Sequence, residues 1–298
     1  MPELPEVENL RLGLERYILG QKILKVKINK PKLVSGKGNA RVASSKKVSE
    51  FINGLTKEKF IAVERRAKNL IFKLSNDKMI LAHLKMSGQF VYKGKNKKSV
   101  IGGHPIEISE KVLPNKHTHI IFELNDGVLY YNDTRMFGYA LYYPNVEQFE
   151  KGNHFENLGK EPLDKSFTAK YFFESLKSKR SKIKSVLMGQ EVVVGVGNIY
   201  TDESLFEAGI LPTRSAQSLN LNEVTKLHKA IIRIISKAIK VGGSSVATYR
   251  LLDESQGNYA REHKVYGKSG KNCPRCASSL QKILIQTRTT IFCPNCQR

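Results

Sequence analysis

Three things are scarce in this chain of 298 residues. Apolar runs long enough to span a bilayer are missing, which excludes a transmembrane helix, and no secretory signal opens the chain, so an intracellular protein is expected. Acid is short: 27 Asp and Glu stand against 50 Lys and Arg, a net charge of +23 that calls for a polyanionic partner. No basic amphipathic helix or lipidation motif supports an acidic membrane surface, which leaves nucleic acid. Cysteine is absent until the last 26 residues, where all four lie, so a local metal site is expected in place of a disulfide framework. What is present suffices for folding: at this length, 40% apolar content supplies two modest cores and two domains.

The cysteines form the most specific pattern. Cys273-Pro-Arg-Cys276 and Cys293-Pro-Asn-Cys296, sixteen residues apart, have the four-thiolate spacing of one structural zinc ion. Strands over Gln281–Gln286 and Thr289–Phe292 make a hairpin clipped by the metal, with Arg288 exposed near its turn. Sulfur fills every zinc position, so the metal is not the catalyst.

The other unusual stretch is the beginning, Met1-Pro2-Glu3-Leu4-Pro5-Glu6-Val7-Glu8. Removal of Met1 exposes the Pro2 ring nitrogen as a secondary amine, with the pKa of about 8 usual for a chain terminus. Such an amine is a nucleophile, and its attack on a sugar C1′ gives an iminium directly. Glu3 and Glu6 fall close to it if Pro5 starts a helix, where proline and acids are both favourable. Val7, Leu10, Leu14, Tyr17 and Ile18 continue that helix at the right period. Read alone, the octapeptide fits an ordinary helix start better than an active site.

Between these ends the first half reads as strands: Ile23–Ile28, Phe60–Glu64, Leu70–Leu74, Met79–His83, His119–Leu124, Val128–Tyr131 and Tyr139–Tyr143. Turn chemistry at Ser75-Asn76-Asp77 and Asn125-Asp126-Gly127 separates them, and a β-sandwich or flattened barrel fits. Arg65-Arg66-Ala67-Lys68 suits phosphates at a strand junction, or is a solvated charge run. Met86 follows a strand end at His83, as core filler or as something more. Arg135 and Phe137 share one side of an extended loop, either as a wedge and a hydrogen-bond donor or as a buried ring beside an ion pair. The stretch from Lys93 toward His117 is expected to be a mobile basic loop.

The second half reads as helical. Residues 146–166 break the periodicity. Lys177, Lys179, Arg180, Lys182 and Lys184 then place five cations within eight residues, a phosphate-binding candidate. Val194-Gly195-Val196-Gly197-Asn198 reads as tight turns into a new helix with Asp202 and Glu203 in its first turn. Its Gly-x-Gly has no strand-to-helix unit around it, so dinucleotide binding is set aside. A long helix follows from Asn220 to Val241, closed by Gly242-Gly243, and the polar stretch 244–259 would suit a lid.

Taken in order, the proline start, Lys68, Arg135-x-Phe137, Asn198 and the terminal zinc ribbon resemble the formamidopyrimidine-DNA glycosylase family of base-excision repair enzymes, from one end of the chain to the other. Leu4 fits that branch better than the endonuclease VIII branch, where glycine is usual. The resemblance implies an α+β multidomain fold: a catalytic β-sandwich with a leading helix (1–145), a linker (146–165), a helix-two-turn-helix domain with a lesion-capping loop (166–262) and a zinc finger (263–298). It implies a glycosylase and abasic-site lyase for oxidised purines in double-stranded DNA. Pro2 would be the nucleophile, Glu3 the proton donor and acceptor, Glu6 an organising acid, and Lys68 and Arg288 helpers in β- and δ-elimination. DNA contacts would come from His83, Met86, His117, Arg135, Phe137, Lys179 and Asn198, with Met86, Arg135 and Phe137 filling the gap left by an everted base. A monomer in the bacterial cytosol or nucleoid is expected. The alternatives are an endonuclease VIII type acting on oxidised pyrimidines, and a non-enzymatic zinc-ribbon protein that binds nucleic acid.

Overall fold

The structure, a computed structural model, describes residues 1–38, 41–95, 100–103, 113–244 and 258–298. It divides into two compact units, one of Met1–Pro2, Glu6–Phe155 and Ser244–Gly257, the other of Glu3–Pro5, Glu156–Gly243 and Asn258–Arg298.

The first unit is a β-sandwich. Helix α1 (Leu4–Ile18) carries Pro5 in its first turn, where the missing amide costs nothing, and turns Val7, Leu10, Leu14 and Ile18 into the core. Then come β1 (Ile23–Ile28), α2 (Ser45–Leu55), β2 (Phe60–Arg66), β3 (Asn69–Leu74), β4 (Met79–His83), β5 (Gly88–Gly94), β6 (Val100–Gly103), β7 (Thr118–Leu124), β8 (Gly127–Asp133), β9 (Tyr139–Tyr143) and α3 (Val146–Lys151). One sheet has the order β1-β7-β8-β5-β6, the other β2-β3-β4-β9, and every pairing is antiparallel. Their inner faces share one core, where Phe60, Phe72, Phe90 and Phe122 meet as edge-on rings 5.5–6.3 Å apart. Helix α2, capped by the Ser44 hydroxyl, adds Phe51 and Leu55.

The expected basic loop after Tyr92 begins instead as strand. Lys93 and Gly94 pair with Val128 and Gly127, and Val100–Gly103 adds the edge strand β6. The long partner β8 decides this, because its backbone satisfies β5 along its whole length. The approach is close enough that a Cβ on Gly127 would stand 2.5 Å from the Lys93 carbonyl oxygen. Positions 96–99 and 104–112 of that stretch, and 245–257 of the expected lid, lie outside the described residues.

The second unit is helical: α4 (Ala169–Leu176), α5 (Ile183–Met188), α6 (Asn198–Ala208) and α7 (Leu221–Lys240). Helix α7 starts with a complete capping box between Asn220 and Glu223 and buries Val224, Leu227, Ile231, Ile234, Ile235 and Ala238. Leu4 belongs to this core, with its amide on the Gly195 carbonyl at 3.0 Å. The hairpin β10 (Gln281–Ile285) and β11 (Arg288–Phe292) closes through Gln286 and Thr287, both left-handed at φ 47° and 63°, as a two-residue turn demands.

Two expectations fail here for one reason. Asp202 and Glu203 are the fifth and sixth residues of α6, past its first turn, and both are buried. Lys184 is no phosphate ligand: its fully buried ammonium lies 2.6 Å from Asp202. Asp202 also accepts the Ile291 amide at 3.1 Å, while Glu203 accepts the amides of Lys264, Val265 and Tyr266 at 2.8–3.0 Å. Both acids are spent joining α6 to the C-terminal segment.

Candidate functional site

The chain start divides its residues between the units. Met1 is exposed and Pro2 is buried. In the first unit the Glu6 carboxylate accepts the Ser244 amide at 2.7 Å. In the second, Glu3 accepts the amides of Gly197, Ile199 and Tyr200 at 2.7, 3.0 and 3.4 Å. Gly197 has no side chain to cap α6, so the carboxylate of Glu3 supplies the acceptor and complements the helix dipole. This explains the glycines of the Val-Gly-Val-Gly segment. A Cβ on Gly197 would stand 2.4 Å from the Glu3 carboxyl carbon, and Gly195, at φ +81°, lies equally close to the Leu4 side chain.

Lys68 sits in the two-residue turn between β2 and β3, made possible by left-handed Ala67 (φ 54°), and is only 6% exposed. Its neighbour Arg65 is not the phosphate ligand that the charge run suggests. The Arg65 guanidinium holds Glu8 at 2.8 Å and the Ala67 carbonyl at 2.8 Å, so it braces the turn. Burial works to raise the Glu8 carboxyl, but Arg11 and Arg65 outweigh it and hold the group below the usual carboxylate range.

Met86, Arg135 and Phe137 come together. The Arg135 guanidinium lies 4.7 Å from the Phe137 ring centre and 3.3 Å from the Met86 sulfur, and both apolar side chains are exposed. Neither is core filler. The loop is not extended: Met136 between them is left-handed (φ 53°). Asp133 holds it from beneath, accepting from Ser87 Oγ (2.5 Å), the Arg135 amide (3.1 Å) and the Gly138 amide (2.7 Å). Arg41 holds it from the side by donating to the carbonyls of Met136 and Gly138. Both supports escape sequence reasoning. The Asp133 bond two residues on is an Asx turn that local chemistry could have flagged, whereas nothing local marks Arg41. His83 accepts the Lys85 amide through Nδ1 at 2.9 Å; burial, then Lys85 and Lys68, push it down to about 3, so it stays neutral. His117 is half-buried just before β7, its amide on Asn115.

In the second unit, Lys179 and Arg288 line one cavity of ≈ 390 Å³ with Ser181 and Gln286. Lys179 is held by Glu191 at 2.6 Å, and Arg288 is exposed at the start of β11. Asn198, at the first turn of α6, donates to the Thr289 carbonyl at 3.1 Å, and Lys184 reaches the same oxygen at 3.2 Å. Burial pushes Asp202 up to about 7 and lowers Lys184, each effect opposed by the partner's charge.

The four cysteine sulfurs lie within 4.8 Å of one another, with Cys273–Cys296 at 3.9 Å and Cys276–Cys293 at 3.5 Å. Tetrahedral zinc with sulfur at about 2.3 Å needs sulfurs roughly 3.8 Å apart, so this cluster fits a metal ion. The amides of Arg275 and Cys296 point at cysteine sulfur at 3.4 Å, as the polar surround of a thiolate should.

Fold and residues define a class: an N-terminal β-sandwich, a helical unit built on two tight turns, a four-cysteine hairpin, and two buried acids, Glu3 and Glu6, at the chain start. Residues 1–140 match the formamidopyrimidine-DNA glycosylase N-terminal domain, and residues 158–250 match the H2TH domain of the same enzymes. The chain is 35% identical over 297 residues to the formamidopyrimidine-DNA glycosylase of Desulfitobacterium hafniense (strain DSM 10664 / DCB-2) and 38% identical over 298 to that of Yersinia enterocolitica, covering 100% of both chains in each case. Among solved structures, it is similar to a Lactococcus lactis FPG mutant in complex with Fapy-dG containing DNA (36% identity, TM-score 0.85, 100% of both chains). It is also similar to MutM in complex with carbocyclic 8-oxo-G containing DNA (36% identity, TM-score 0.84, 100% of both chains). The chain belongs to the formamidopyrimidine-DNA glycosylase family. No helix among the described residues is long and apolar enough to cross a membrane.

Proposed function

We propose that this protein excises oxidised purines, 8-oxoguanine and formamidopyrimidines, from duplex DNA and then cuts the abasic strand. Once Met1 is removed, the Pro2 nitrogen attacks C1′. The C1′–N bond to the base breaks, and the base leaves with a proton. Glu3, oriented by three amides, serves as proton donor and acceptor at the sugar, and Glu6 orders its surroundings through Ser244. The iminium is the electron sink. Loss of a C2′ proton expels the 3′ phosphate with help from Lys68, and a further elimination expels the 5′ phosphate with help from Arg288. A one-nucleoside gap bounded by phosphates remains.

Met86 and Phe137 fill the space of the everted base, and Arg135 offers donors to the orphaned cytosine. Lys179, Asn198, His117 and His83 contact the DNA. Cys273, Cys276, Cys293 and Cys296 hold one zinc ion, which stiffens the hairpin carrying Arg288. The protein acts as a monomer in the cytosol.

The observation that carries this reading is the proline at position 2 of a chain matched to the family over its whole length. Borohydride added during turnover of an 8-oxoguanine duplex is expected to link protein to DNA, and Pro2→Gly to trap far less. A zinc-ribbon binder without catalysis would give no adduct. Faster excision of thymine glycol than of 8-oxoguanine would move the assignment to the pyrimidine-specific type.

A further inference from the structure

Four cations converge on one pocket of the first unit with no acid among them. A cavity of ≈ 580 Å³ opens between the turn at Lys30–Leu33, Arg41 and the Arg135–Phe137 loop. Lys30, Lys32, Arg41 and Arg135 ring it, and Leu33 and Phe137 are among its apolar lining. Some surface cations elsewhere are paired, as Lys78 is with Glu58 and Lys179 with Glu191. Among the described residues these four have no carboxylate partner. Like charges gathered around a concave apolar wall repel one another, and a bound anion relieves that repulsion. The size suits a nucleotide.

The geometry points to a second nucleotide subsite here, one that holds a sugar-phosphate of the strand opposite the lesion, with Lys30 and Lys32 on the phosphate. The inference rests on the role given above to Arg135. That residue serves the orphaned base, the orphaned base belongs to the undamaged strand, and Arg135, Met136 and Phe137 form a wall of this pocket. Arg41 makes pocket and wedge one piece, because the guanidinium that lines the cavity also holds the Met136 and Gly138 carbonyls. Phosphate contacts position without specifying, so the subsite sets the register of the undamaged strand and leaves base preference to Arg135.

Binding to a duplex carrying a tetrahydrofuran abasic analogue needs no proline chemistry and so reads this proposal apart from catalysis. Neutral methylphosphonates placed singly along the opposite strand are expected to weaken wild-type binding roughly fivefold at one or two positions near the orphaned base. Lys30 and Lys32 are exposed, so Lys30→Ala/Lys32→Ala preserves the fold. It should make those positions silent and lower the salt dependence (log Kd against log salt) by about 2, while Lys30→Arg/Lys32→Arg restores both. A wild-type footprint confined to the lesion strand, or a double alanine variant still sensitive to the same methylphosphonates, overturns the proposal. Loss of borohydride trapping with the footprint intact would count against the enzymatic reading alone.

Discussion

Lys184 shows what a residue type can hide. In the sequence it closes a run of five cations, and nothing local separates it from its solvated neighbours. In the fold it is fully buried on Asp202, eighteen positions further along. The pair ties α5, α6 and β11 together through Thr289 and Ile291. Removing one partner strands a buried charge, so Lys184→Met is expected to cost about 3–5 kcal/mol, and Lys184→Met/Asp202→Leu to recover most of it. Urea unfolding decides: a single variant as stable as wild type would show the pair to be incidental. Arg65 carries the same lesson, since its partner Glu8 lies in another element altogether. Charge runs announce a polyanion partner for the molecule, but which cations are free to meet it is settled by long-range pairing.

At the scale of elements, regular patterns were legible and partnerships were not. Strands β1, β4 and β9 have the limits that alternation and turn residues imply, and α7 announces itself through its capping box and apolar stripe. Strand β5 is concealed by Gly88 at its start and Lys93-Gly94 at its end, residues that read as turn and loop until β8 lies beside them. Helix α2 lies in a polar stretch where Ser44 and the spacing of Phe51 and Leu55 were the available signals. Helix α6 is the instructive case, because its first turn is capped by Glu3, 194 positions away from Gly197. Gly197→Ala puts a Cβ into that carboxylate. Base excision should fall roughly a hundredfold, the worth of one general acid-base group, while binding to a tetrahydrofuran duplex stays near wild type. Excision kinetics unchanged by the substitution would argue that the seat of Glu3 in α6 is only structural.

For the whole molecule, the proline start, the wedge motif, the Val-Gly-Val-Gly-Asn segment and the cysteine spacing carried the family because each is local in sequence. Arg41 and Lys184, which hold those parts in place, act across the chain and left little local trace. The four cysteines and a small core of Phe206, Val265, Leu280 and Ile291 hold the hairpin, separately from the sandwich core. Stripping zinc, or Cys276→Ser, should therefore leave the sandwich folded, remove one equivalent of metal and weaken lesion-duplex binding on the order of tenfold, about 1.4 kcal/mol. Elemental analysis alongside a binding titration checks this, and full affinity without metal would deny the hairpin its part in DNA binding.

The central claim is that the nitrogen of Pro2 forms the covalent bond to deoxyribose. Reductive trapping of mature protein on an 8-oxoguanine duplex, followed by nuclease and protease digestion and mass spectrometry of the adduct peptide, measures this directly. The account predicts the sugar remnant on the amino-terminal peptide beginning at Pro2. A remnant on Lys68 or any other lysine, or no adduct from protein whose Met1 has been removed, would contradict it.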